Sequence, residues 1–167
     1  MPINLTEEIV RCYYAGGKVL ICGNGGLAAE AEHFTAELMG KFSKDVYIPC
    51  IALTCPSALI TAISNDVSFA DVFAHQIRTL GKKGDVLIAM TTSQSPNIIT
   101  SIEAGESRQM VIAVLCSNWS KINYANLIRI AGVDGMEVQN NLIAYLHRVA
   151  KEVKELINDK SLSREPQ

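Results

Sequence analysis

The 167-residue sequence has no apolar run approaching the roughly 18 residues that would cross a bilayer. Its start, Met1-Pro2-Ile3-Asn4-Leu5-Thr6-Glu7-Glu8, lacks the basic-then-apolar layout of a secretory signal. These two absences predict a cytoplasmic protein with no membrane partner. A basic block is missing as well: 15 Lys and Arg stand against 17 Asp and Glu, a formal net charge of -2, which argues against a nucleic-acid partner held through phosphate backbones. The five cysteines, Cys12, Cys22, Cys50, Cys55 and Cys116, form no C-x-x-C pair, and three of them fall in apolar runs. Buried thiols are therefore expected rather than metal ligands or disulfides. Neither internal repeats nor low-complexity tracts nor a dividing linker is present, and 49% of the residues are hydrophobic, enough for one globular domain over 1–167.

What is present is an alternation of short β-rich runs with helical stretches. Lys18–Cys22, Ile48–Thr54, Asp85–Thr91 and Met110–Cys116 are continuous apolar segments, and Leu127–Val133 is a weaker fifth. Strands buried on both faces read this way, so the pattern predicts a parallel sheet covered by helices on each side. Helices are expected over 3–15, 27–42, 56–63, 69–80, 96–107 and 136–157, with a polar, frayed tail over 158–167. The fold class that follows is a three-layer α/β sandwich with five parallel strands, doubly wound and flavodoxin-like. In such folds ligands bind at the carboxyl ends of the strands, near the switch in strand order.

Two loops at those ends carry candidate chemistry. After the first strand, Cys22-Gly23-Asn24-Gly25-Gly26 lets backbone approach a ligand at a helix start, although it equally describes a tight turn. It is not a dinucleotide fingerprint, because Gly23 opens G-N-G-G-L-A and no acidic residue follows a second strand at the expected place. After the third strand, Thr91-Thr92-Ser93-Gln94-Ser95-Pro96-Asn97 sets four hydroxyls before a helix, with Ser95 at the N-cap and Pro96 at the first helical position. A cap needs one hydroxyl, so the crowding points to an anion, and the lack of a P-loop lysine favours a phosphate ester.

On the second helix His33 and Glu37 lie four apart and share a face, a spacing that suits two ligands of one metal, a base with its partner, or a plain surface pair. Gln139 and His147 on the last helix are eight apart, about 12 Å of rise, too far to hold one ion from a straight helix. Either the helix start is irregular or neighbouring subunits contribute the ligands. His75 has no partner by spacing and reads as structural.

Taken together, Gly23-Asn24-Gly25-Gly26, Ala31-Glu32-His33-Phe34-Thr35-Ala36-Glu37-Leu38, Ala62-Ile63-Ser64-Asn65-Asp66, Gly84-Asp85-Val86-Leu87-Ile88, Thr92-Ser93-Gln94-Ser95-Pro96-Asn97, and Gln139 with His147 resemble the sugar isomerase (SIS) family, and within it the phosphoheptose isomerases. The resemblance runs from residue 18 to about 157. It implies isomerisation of sedoheptulose 7-phosphate to glycero-manno-heptose 7-phosphate in a homotetramer with active sites at subunit interfaces. It also implies a divalent metal, usually zinc, held by His33, Glu37, Gln139 and His147. By the same resemblance Glu37 is the base and His147 its acid partner in proton transfer through an enediol. Asn24, Gly25, Gly26, Asn65 and Asp66 would face the sugar, and Thr91, Thr92, Ser93 and Ser95 the phosphate.

The sequence departs from the family pattern at the substrate end. Leu27 stands where a serine usually follows Gly-Asn-Gly-Gly, and the hydroxyl loop is shorter than S-T-S-G-N-S. After the fourth strand Cys116-Ser117-Asn118-Trp119-Ser120 replaces Thr-Gly-x-x-Gly-Gly, and Glu137-Val138-Gln139-Asn140 replaces Arg-Ile-Gln-Glu. The rival expectation is a non-catalytic SIS-fold tetramer, regulatory or bound to a replication initiator, in which the acidic and histidine pair is lost.

Overall fold

The computed structural model describes residues 3–162. Five strands, β1 (Val19–Cys22), β2 (Cys50–Ala52), β3 (Val86–Thr91), β4 (Val111–Ser117) and β5 (Leu127–Ile130), form one sheet in the order β2-β1-β3-β4-β5. Every neighbouring pair is parallel, with Val19 opposite Cys50 and Val86, and Val86 opposite Val111. The expected sheet is therefore present, although β2 and β5 are shorter than their apolar runs. Pro49 has no N–H for the ladder, and β2 begins after it at the sheet edge.

Successive strand residues point to opposite faces, and that alternation builds two cores. Val19, Ile21, Val86, Ile88, Met90, Ala113 and Leu115 pack toward α1 (Leu5–Tyr14), α2 (Gly26–Met39) and α6 (Gly135–Leu162). Leu20, Cys22, Leu87, Ala89, Ile112, Val114 and Cys116 pack toward α3 (Ser57–Asp66), α4 (Val72–Leu80) and α5 (Pro96–Ser107). Burial on both faces explains why β1 and β3 lack polar alternation in the sequence.

Several helix boundaries differ from expectation: α1 is trimmed at both ends from 3–15 to Leu5–Tyr14, and α3 runs three residues past its expected end at 63, to Asp66, where the Val67 N–H closes it on the Ile63 carbonyl. A 3-10 turn, Phe69–Asp71, precedes α4, entered where the Ser68 hydroxyl accepts from the Ala70 N–H. Helix α2 closes at Gly40, two residues before the expected end, its N–H donating to the Ala36 carbonyl at 2.8 Å. The expected frayed tail is corrected in part: α6 runs on to Leu162, and 163–167 lie outside the described residues. Among the described residues no helix is long and apolar enough to cross a membrane.

Four of the five thiols, Cys12, Cys22, Cys50 and Cys116, are buried as expected, and burial pushes Cys22 and Cys50 up to about 12. Cys55 is exposed, against the expectation, because it lies beyond the carboxyl end of β2 where the chain turns toward α3.

Candidate active site

The sheet order switches between β1 and β3, whose following loops run to opposite sides and open a crevice at their carboxyl ends. Both sequence-selected loops lie there. Gly25 has φ +59, which favours glycine, and it leads α2 with no side-chain cap on the helix N–H groups. Asn24 and Asn97 join the two loops by a reciprocal amide pair, Asn24 Nδ2 to Asn97 Oδ1 at 2.9 Å and Asn97 Nδ2 to Asn24 Oδ1 at 2.8 Å. Asn97 is buried at the start of α5; the sequence includes it in the hydroxyl loop without assigning it a role, and its place right after the hydroxyl run is the signal for one.

The hydroxyl loop is partly self-satisfied. Thr91 Oγ1 donates to the Ser93 carbonyl and accepts the Ser93 N–H, which shapes the turn. Ser93 and Ser95 hydroxyls sit 3.2 Å apart and are turned outward. Ser95 occupies the N-cap as expected, but its hydroxyl makes no cap bond, so the hydroxyl and the first turn of α5 present donors together. The Thr92 carbonyl accepts from Ser117, and Trp119, Ser120 and Lys121 from the next loop line a shallow depression beside Thr92, Ser93 and Gln94.

Leu27 is buried in the core with Val138 and Leu142, so this departure exchanges a donor position for packing beneath α6. Asn65 and Asp66 close α3, both exposed and joined by one side-chain hydrogen bond of 2.8 Å. His75 lies on the exposed face of α4.

The second constellation is on the α2–α6 side. His33 Nε2 lies 3.1 Å from Glu37 Oε1, His147 Nε2 lies 2.9 Å from the same oxygen, and the two imidazole nitrogens are 3.1 Å apart. Glu37 is 6% exposed, and its other oxygen, Oε2, is buried without a hydrogen-bond partner. Phe42 stacks on His147 with ring centroids 6.3 Å apart, and with Lys41 it lines an open depression over the three side chains.

A tetrahedral metal with ligands at about 2.0–2.1 Å holds neighbouring ligand atoms about 3.3 Å apart. The triangle formed by His33, Glu37 and His147 is close to one face of such a site, and two imidazole nitrogens crowding one carboxylate oxygen is an arrangement that a cation relieves. The donor set, two nitrogens and one carboxylate, is one that zinc accepts.

Gln139 lies elsewhere. A β-carbon built on Gly26 would stand 2.4 Å from Gln139 Oε1, so the amide rests on the start of α2, while His147, two turns further along α6, reaches His33 and Glu37. Residues Gly135–Leu162 form a regular helix, which removes the irregular-start explanation for pairing Gln139 and His147 on one ion within a chain.

Residues 3–117 match the SIS domain family. The chain is 37% identical over 155 residues to a phosphoheptose isomerase of Neisseria meningitidis, an alignment spanning 88% of this chain and 79% of that protein. It is 48% identical over 111 residues to a phosphoheptose isomerase of Shewanella sediminis, covering 65% of this chain and 56% of that protein, little over half its length. The solved structure of a phosphoheptose isomerase from Neisseria gonorrhoeae superposes with a TM-score of 0.83 at 32% identity, over 90% of this chain and 83% of that one. The chain belongs to the SIS-domain family, in its phosphoheptose isomerase branch.

Proposed function

We propose that the chain is a metal-dependent aldose–ketose isomerase of a phosphosugar, converting sedoheptulose 7-phosphate to glycero-manno-heptose 7-phosphate in the cytoplasm. The observation that carries this is the convergence of His33, Glu37 and His147 to within 3.1 Å of one another, from two helices more than a hundred residues apart in sequence. The non-catalytic alternative loses the acid and histidine pair, and here that pair is in contact.

The reaction moves a proton between adjacent carbons through an enediol. In this assignment Glu37, anionic and largely shielded from water, takes the carbon-bound proton, and His147 manages the proton on the neighbouring oxygen. The Ser93 and Ser95 hydroxyls with the α5 N-terminus bind the phosphate, helped by Thr91 and Thr92, which shape the loop. Asn24, Gly25, Gly26, Asn65 and Asp66 orient the sugar. His33, Glu37 and His147 would hold zinc or another divalent metal, which when bound supplies electrostatic stabilisation of charge developing on oxygen.

The metal triangle is on one face of α2, whereas the phosphate loop opens at the switch point, and Gln139 meets Gly26 rather than the triangle. A homotetramer with active sites between subunits answers this, because a neighbouring copy can bring Gln139 and the remaining substrate contacts to the metal.

The test is incubation of purified protein with sedoheptulose 7-phosphate, followed by proton NMR, with zinc and with a chelator. An aldose product formed only with metal supports the proposal. No product from folded, zinc-loaded protein refutes it.

A further inference from the structure

Lys154 on α6 is fully buried, with 0% relative exposure, and no step of the proposed reaction uses it. A buried ammonium is costly unless charge and hydrogen bonds compensate it, so its neighbours identify what it serves. Its Nζ donates to the Gly40 carbonyl at 2.5 Å, three residues beyond Glu37 at the C-terminal end of α2. The Tyr47 ring covers it at 6.0 Å from the centroid, and the Tyr47 hydroxyl is itself bonded to Asp45. Burial pushes the Lys154 ammonium below the usual lysine range, while the charges of Glu37 and Asp45 act in the opposite direction. Among the described residues Lys154 has no direct ion pair, and Glu37 Oε2 has no hydrogen-bond partner. Lys154 and His147, seven residues apart on α6, thus both face α2, the ammonium at its C-terminal end and the imidazole on Glu37, and the Glu37 and Asp45 charges act on the ammonium without contact.

We propose that Lys154 is a built-in counter-cation of Glu37, a positioning residue that balances the carboxylate when no metal is bound and lowers the affinity of the His33–Glu37–His147 triangle for a divalent ion. The inference rests on the metal reading given above. The buried Oε2 side of Glu37 and the enclosed Lys154 keep solvent from fully screening the repulsion between a dication at the triangle and the fixed ammonium, so it acts on metal affinity without contact. The hydrogen bond to Gly40 holds that ammonium in place at the end of α2, where the helix dipole also favours a cation.

The test measures the zinc dissociation constant of the full chain, stripped with a chelator and titrated against a chromophoric competitor at fixed pH, with folding checked by circular dichroism. Lys154→Met removes the charge and keeps the length, Lys154→Gln removes the charge and keeps a donor for Gly40, and Lys154→Arg keeps the charge. Both neutral variants are expected to bind zinc about tenfold more tightly or better, with Lys154→Arg within about twofold of the parent. If Lys154→Met fails to fold, Lys154→Gln carries the comparison. A merely structural role would lower thermal stability and leave the zinc constant unchanged or weaker, and that result overturns the inference alone. A folded parent chain that binds no zinc overturns the metal reading and the inference with it.

Discussion

Asn24 and Asn97, 73 residues apart in sequence, exchange two amide hydrogen bonds across the switch point of the sheet. This pair fixes the glycine loop after β1 against the first turn of α5, and so sets the spacing of the two loops at the switch point, the proposed sugar and phosphate ends of the site. Asn97 is 2% exposed, so truncating it leaves Asn24 without its partner and opens a small cavity. Asn97→Ala is expected to cost about 1–3 kcal/mol of stability and to raise KM for the sugar phosphate several-fold. Thermal melting and steady-state kinetics check both effects, and an unchanged KM would remove the positioning role.

Ser95→Ala removes an outward hydroxyl that makes no cap bond, so the helix has little to lose. The expected outcome is a KM raised about tenfold, the equivalent of one charge-assisted hydrogen bond of about 1.4 kcal/mol, with the melting temperature unchanged. A fall in stability with no change in KM would return Ser95 to a purely structural part.

Zinc binding by the His33–Glu37–His147 triangle, as proposed, would link metal to folding. At a free zinc concentration about 100-fold above the dissociation constant, the folded state gains about 2.7 kcal/mol, which raises the melting temperature of a chain this size by roughly 5–10 °C. Differential scanning calorimetry with zinc and with a chelator measures the shift. The double variant His33→Ala/His147→Ala should show none.

The thiols differ sharply in reactivity. Cys22 and Cys50, pushed up to about 12 by burial, stay protonated at pH 8, and Cys12 and Cys116 are buried too. Titration of the native chain with a chromogenic disulfide reagent should modify no more than Cys55 quickly, and all five thiols after denaturation. Since those two thiols ionise only at a higher pH than they would unfolded, their contribution to stability is present below the ordinary thiol pKa and is lost as pH rises toward about 12.

The sheet was legible because its strands are buried on both faces: Val19–Cys22 and Val86–Thr91 have no polar alternation to confuse with a surface strand. Ends were harder to place. The polar run Asn158-Asp159-Lys160-Ser161-Leu162 reads as a tail, yet it contains neither Gly nor Pro, and α6 continues through it. Phe69-Ala70-Asp71 reads as the start of a helix, whereas the Ser68 hydroxyl stabilises a tighter turn there.

In the site, the His33–Glu37 contact follows from spacing four along a helix, a local property. The approach of His147 to that pair does not, because it depends on how α6 packs on α2 through Leu27, Val138, Leu142 and Leu146. For the same reason nothing in the sequence separates Lys154 from the other charges of α6; only the packed structure shows it closed in by Gly40 and Tyr47.

The central claim is that Glu37, held between His33 and His147, is the group that moves the carbon-bound proton. The most direct measurement is the turnover of zinc-loaded Glu37→Gln with sedoheptulose 7-phosphate, alongside the parent chain, with the oligomeric state of both recorded. The account predicts a rate lower by about 10³-fold in a variant that keeps the parent's fold and assembly, since the change removes the base and hardly alters volume. A folded Glu37→Gln protein that turns over within about tenfold of the parent would contradict it.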